Sequence, residues 1–179
     1  DVLDEQWIEI WYEDGSTSAL TGPIMANTTL DPGGGPYRVS GELVIAPGAT
    51  LTIQAGTSLY FDPGALITVN GVLKSQGAAY ARVYCGPVPN AALVPDPAGN
   101  GGLPDAPPKW GGIQFVDSLS SANLMSHTDV HHAQDENGSV GIHRSELVLH
   151  QMSFSGTHLR MVYADRSSVE ILESVFPDM

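Results

Sequence analysis

Between Val39 and Val83 the chain alternates apolar and polar residues in short bursts: Leu43/Ile45, Leu51/Ile53, Leu59/Phe61 and Ile67/Val69. The first members of these pairs fall eight residues apart. Alternation with a period of two marks strands with one buried face. Between the pairs lie Pro47-Gly48, Gly56 and Pro63-Gly64, and Asn70-Gly71 follows the last. Such residues mark turns. Strands this short, turning this often, predict a chain that coils round a central core. No stretch carries a sustained helical period.

The last third repeats the pattern at 22 to 24 residues. Val130, Phe154 and Phe176 form one apolar series, Met125, Leu149 and Ile171 a second, and Leu147 and Val169 a third. Stacked, each series is an inward ladder that buries a core no single coil could bury alone. Met125 and Val130 have opposite strand parity, so a bend must separate them if both point inward. The same offset sets His127 over Gln151 and Glu173, Asp129 over Ser153, His143 over Asp165 and Arg144 over Arg166. A second echo, Val39-Ser40-Gly41-Glu42-Leu43 against Val69-Asn70-Gly71-Val72-Leu73, lies at thirty residues.

Two segments break the pattern. Residues 1–22 hold a strand-prone run, Gln6 to Tyr12, with Trp7 and Trp11 on one face. It reads as an N-terminal capping strand over the core or as the end of an upstream module. Residues 86–109 hold seven of the thirteen prolines and read as an excursion from the repeat. The β-structure spans 23–179. The start at Asp1, without a leader pattern, fits a mature or excised chain. The end at Met179, just past a ladder residue, reads as a solenoid cut short or one whose end a partner covers.

Pro36-Tyr37-x-Val39-x-Gly41, Pro47-Gly48-Ala49-Thr50-Leu51-Thr52-Ile53-x-x-Gly56-Thr57, Val69-x-Gly71-x-Leu73 and Trp110-Gly111-Gly112-Ile113 carry a resemblance. Together they resemble the right-handed parallel β-helix modules of bacterial secreted and cell-surface proteins, in the pectate-lyase-like superfamily. The resemblance spans roughly residues 23–176. It implies an all-β chain: a right-handed parallel β-helix of about five or six coils. That fold carries lyases, glycoside hydrolases, adhesins and modules without activity, so it does not choose among them.

Charge narrows the choice. Seven Lys and Arg face twenty Asp and Glu, a formal net charge of −13. No basic footprint for nucleic acid exists, and a polyanionic substrate would be repelled unless metal ions intervened. No apolar run approaches the ~18 residues of a membrane span. Cys85, the one cysteine, ends an apolar run and reads as a small buried hydrophobe. Asp31-Pro32-Gly33-Gly34-Gly35 lacks the Lys-Ser/Thr of a phosphate loop. The acidic turns lack calcium-loop spacing, so the expectation is no cofactor, with calcium as an alternative that no motif supports.

All six histidines lie between residues 127 and 158. From this segment come the candidate catalytic residues Asp129, His131 and Arg144, and the candidate binding residues His127, His143 and Asp165. A glycoside hydrolase needs two carboxyl groups, which Asp129 with Asp135 or Glu136 would supply while His131 positions substrate. A lyase needs a base beside a uronate neutralised by Arg or metal, and Arg144 and Arg160 are the nearest arginines. His127-x-x-x-His131 has zinc-like spacing only on a helix, and this segment reads as strand and turn. An ordinary solvated face accounts for the same residues. The expectation is therefore a non-catalytic secreted or cell-surface module with a structural, adhesive or glycan- or protein-binding role, as part of a larger chain. A polysaccharide lyase or hydrolase is the competing expectation.

Overall fold

The computed structural model describes residues 16–88, 109–156 and 160–177. The expected capping strand at Gln6–Tyr12, most of the proline-rich excursion and His158 lie outside them. The described residues form a parallel β-helix of about five circuits, and every pairing between its strands is parallel.

A partial circuit leads in: β1 (Ser18–Leu20), an Ile24–Ile45 bridge and β2 (Thr28–Leu30). The circuits then run β3 (Tyr37–Val39), β4 (Glu42–Ile45) and β5 (Thr50–Gln54), followed by β6 (Ser58–Phe61), β7 (Leu66–Val69) and β8 (Val72–Gln76). The third holds β9 (Val83–Pro87), β10 (Ile113–Val116) and β11 (Leu124–Ser126). The fourth holds β12 (Thr128–His131), β13 (Val140–His143) and β14 (Glu146–His150). The fifth holds β15 (Ser153–Ser155), β16 (Val162–Asp165) and β17 (Ser168–Leu172). Sheet A stacks β1, β3, β6, β9, β12 and β15; sheet B stacks β4, β7, β10, β13 and β16; sheet C stacks β2, β5, β8, β11, β14 and β17.

The eight-residue spacing is one side of this three-sided coil. Leu43 pairs with Ile67 after three sides, or 24 residues. The thirty-residue echo is corrected by the same register. Val39 belongs to sheet A and Val69 to sheet B, so the two similar segments turn different corners. Both corners hold glycine, for different reasons: Gly41 is left-handed with φ of 88°, and a Cβ on Gly71 would run into the Ala46 and Ala49 carbonyls.

The inward ladders are continuous. In sheet A, Tyr37, Leu59, Cys85, Val130 and Phe154 stack in register, and Phe176 lies over Phe154 at 5.4 Å. Met125, Leu149 and Ile171 stack in sheet C, as do Leu147 and Val169. Each fully buried large apolar side chain contributes roughly 1.5–3 kcal/mol. In the last circuit Ile171, Leu172, Val175 and Phe176 are exposed. Between β9 and β10 the described residues resume at Lys109, and the Trp110 ring stacks on Phe61 at 3.8 Å and 9°. Trp110 Nε1 donates to the His131 carbonyl at 2.7 Å, and Gly111 N donates to the Ala65 carbonyl at 2.7 Å. These contacts set the register of the strand that follows, β10.

The corners change character along the chain. Early ones use glycine in the left-handed region, at Gly41, Gly48, Gly56 and Gly64. Later ones keep Gly112, Gly138 and Gly156 there and add Asp117, His127, His132, Arg144, Gln151, Arg166 and Glu173, with φ of the non-glycine residues between 45° and 54°. A left-handed non-glycine residue costs roughly 1–2 kcal/mol. A hydroxyl after many of them offsets this. Thr128 Oγ1 donates to the Ser126 carbonyl, Ser145 Oγ to His143, Ser167 Oγ to Asp165 and Ser174 Oγ to Leu172, at 2.8–3.1 Å. Those serines also accept amides from the circuit before: Ser118 N donates to Ser145 Oγ, Ser145 N to Ser167 Oγ and Met152 N to Ser174 Oγ. His127 is the bend that the parity of Met125 and Val130 requires.

Candidate functional site

Strand β12 turns Val130 inward, so Asp129 and His131 both face out from sheet A. Asp129 lies over Ser153, as the repeat offset predicts. Both residues line an open cleft of about 440 Å³ with Arg82, Gln151, Met152, Ser153, Glu173 and Val175. Val175 is exposed and gives the cleft an apolar patch beside its polar rim, with Met152 buried beneath.

The rim is braced from three circuits. Arg82 Nε donates to Asp129 Oδ1 at 2.7 Å, and its Nη2 donates to the carbonyls of Gln151 at 2.8 Å and Thr128 at 3.4 Å. Gln151 Nε2 donates to Glu173 Oε2 at 2.7 Å, and His150 Nε2 lies 3.5 Å from the same oxygen. The bond from Gln151 and the nearby His150 hold the Glu173 carboxyl below the ordinary glutamate range. Gln151 and Glu173 are successive left-handed corners of one column, and His127 lies above them.

His131 is half-buried. Its ring stacks on Tyr84 at 4.9 Å, and its Nδ1 shares a hydrogen bond with Ser155 Oγ. Burial pushes its pKa below the ordinary histidine value, against the pull of Asp129. Tyr84 in turn meets Tyr60 edge-on at 5.7 Å. These aromatic rings are turned toward one another along the axis, so Tyr84 and His131 cover each other's faces. Beneath them Cys85 is buried, and desolvation first, then Asp129, pushes its thiol up to about 12. It is an inert ladder residue.

The other expected residues lie elsewhere. His127 sits at the corner between sheets C and A, 5.4 Å from the His150 ring; Ser126 Oγ bonds both Nδ1 atoms, at 2.9 and 3.3 Å. His143 and Asp165 pair in register on sheet B, a different side of the coil. His143 lies 5.5 Å from Tyr163, whose ring also carries the Arg160 guanidinium at 5.1 Å. Arg144 turns the corner from B to C and grips both Asp117 oxygens at 2.6 Å. Asp135 and Glu136 lie in the connection from β12 to β13, and Asp135 Oδ1 accepts the Asn137 amide at 2.8 Å. Of the candidate residues, the cleft itself takes Asp129 and His131. Among the described residues no three of His, Cys, Asp or Glu are placed to hold a metal ion.

Sequence reasoning left out Arg82 as a site residue. Its partner is 47 positions away, across the excursion, and no local pattern marks it. Gln151 and Glu173 had a signal, their offset from His127. Comparison with protein-family models, with curated proteins and with solved structures returned no match. The fold defines the class, a parallel β-helix.

Proposed function

We propose that this chain is a non-catalytic β-helix module of a secreted or cell-surface protein, akin to the pectate-lyase-like modules, that binds glycan in the sheet A cleft. One observation carries the reading: the cleft's polar groups are held in fixed positions by one another. A rim of carboxylate, amide and hydroxyl groups beside an apolar patch suits a polyhydroxylated ligand. Preorganisation lowers the ordering cost of binding. Recognition is by polar edges, since Tyr84 and His131 spend their faces on each other.

The competing reading, a glycoside hydrolase or lyase, draws on Asp129 and Glu173 lining one cleft. A hydrolase needs one carboxylic acid kept protonated near neutral pH. Glu173 is shifted the opposite way, and Asp129 is paired with Arg82 at 2.7 Å.

The test is a panel of neutral, acidic and amine-bearing polysaccharides, with and without calcium. Binding and release of new chain ends are both measured, for wild type, Asp129→Ala and Gln151→Ala. Binding without cleavage, weakened by either substitution, supports the module. Cleavage lost in Asp129→Ala places a catalytic centre in the cleft and overturns it.

A further inference from the structure

The cleft carries more negative than positive charge. Arg82 is its one arginine or lysine, and its Nε and Nη2 protons are spent on Asp129, Gln151 and Thr128. His131 is held toward its neutral form. Asp129 bonds through Oδ1, and both neighbours of Glu173 meet Oε2. Among the described residues no hydrogen bond reaches Asp129 Oδ2 or Glu173 Oε1. Asp129 Oδ2 and Glu173 Oε1 thus stand open beside the Arg82 Nη1 donors and the Ser153 hydroxyl, in a cleft with one formal positive and two negative charges, on a chain of −13. Such a cleft calls for a ligand that brings donors and positive charge.

We infer that the preferred ligand is an amine-bearing glycan, a hexosamine polymer with free amino groups. This rests on the glycan-binding reading above and adds the charge of the sugar to it. An ammonium group brings three donors for Asp129 Oδ2 and Glu173 Oε1 at the rim, while ring carbons lie on Val175. A uronate presents carboxylates to carboxylates and is repelled. An N-acetylated sugar keeps its hydroxyls but loses the charge.

Titration calorimetry of the whole chain tests this, with deacetylated glucosamine oligomers, fully N-acetylated oligomers of the same length, and oligouronates. Each is run at low and high salt. The variants are Glu173→Gln, Asp129→Asn and Glu170→Gln. Glu170 is exposed on sheet C and removes the same charge away from the cleft. The expected result is tightest binding of the free-amine oligomer, weakened by salt. Glu173→Gln should weaken it about three- to five-fold, as for an exposed ion pair, with Glu170→Gln unchanged. Equal affinity for acetylated and free-amine oligomers, or preference for the uronate, overturns this inference and leaves glycan binding standing. Equal weakening by Glu173→Gln and Glu170→Gln assigns the effect to the overall field and also overturns it. Binding of no sugar in any arm overturns both readings.

Discussion

Arg82 and Asp129 meet at 2.7 Å although 47 residues of sequence separate them. The guanidinium also reaches the carbonyls of Thr128 and Gln151, and so ties three successive circuits of sheet A together. Both side chains are partly exposed, which weakens the Coulombic part of the contact. The bonds to carbonyls are less screened. Arg82→Met is expected to cost about 1–2 kcal/mol in urea unfolding, because it strips a carboxylate and two carbonyls of a donor. Asp129→Asn keeps the shape and an acceptor and should cost less than half as much. Equal losses would mean that the ion pair, not the bridging of circuits, is what Arg82 supplies.

Gly77 is a glycine for want of space. A Cβ there would stand 2.1 Å from the His127 carbonyl oxygen, on the backbone of the next circuit. Gly48 is a glycine for conformation alone, with φ of 84° and nothing within 4 Å of its Cβ position. Gly77→Ala is expected to cost about 3 kcal/mol or more, since two paired circuits must move apart. Gly48→Ala should cost only about 1–2 kcal/mol, the penalty of the left-handed region. Thermal unfolding of the two variants side by side checks the order. A reversed order would refute this spacing of the circuits.

The legible part of this fold is the part that repeats. The pairs from Leu43/Ile45 to Ile67/Val69 show the sides of the coil because each side must bury the same two positions. The parity clash of Met125 and Val130 locates a corner to within a few residues, since side chains alternate strictly along a strand. Corners were harder to read. Pro-Gly and Gly mark the early corners, whereas the later left-handed corners add Asp and also Arg, His, Gln and Glu, which carry no turn signal of their own. The signal there is a hydroxyl after the turn, as in Arg144-Ser145 and Arg166-Ser167, 22 residues apart. The cleft was half legible. Asp129 and His131 lie on one short strand, but Arg82 and Glu173 join them only through circuit stacking. Arg82 reaches them over an insertion that no repeat offset spans.

His131 gives the protein a pH-dependent stability with a definite sign. Burial lowers its pKa in the folded state, so the unfolded chain takes up this proton first. Stability is therefore full above the ordinary histidine range and declines as pH falls through about 6.5 toward the folded value. His131→Gln removes the titration and keeps a side chain able to bond Ser155. Urea midpoints measured between pH ~7.5 and ~5 should fall less steeply in that variant than in wild type. Glu173 acts lower on the scale. Its depressed pKa gives a contribution present above the ordinary carboxylate range and lost as pH falls through the folded value. A wild-type slope that persists unchanged in His131→Gln would assign the effect to another histidine.

Arg166 isolates the cost of a left-handed corner. Its φ is 51°, its side chain is exposed, and no bond to another described residue fixes it. Arg144, one circuit earlier, is instead tied to Asp117. Arg166→Gly relieves backbone strain and adds freedom to the unfolded chain, so the net is expected between zero and about +1 kcal/mol. Arg166→Val places a β-branched residue where such side chains are least tolerated, and should lose about 1–2 kcal/mol. Ser167→Ala removes an acceptor for the Ser145 amide and a donor to the carbonyls of Asp165 and Ile142. It should cost about 1–3 kcal/mol, the penalty of leaving part-buried backbone groups unpaired. The expected order of unfolding midpoints is Gly at or above Arg, with Val and the serine variant below. A valine variant as stable as wild type would show that the corner relaxes out of the left-handed region, and that the hydroxyl after it is not what holds the turn.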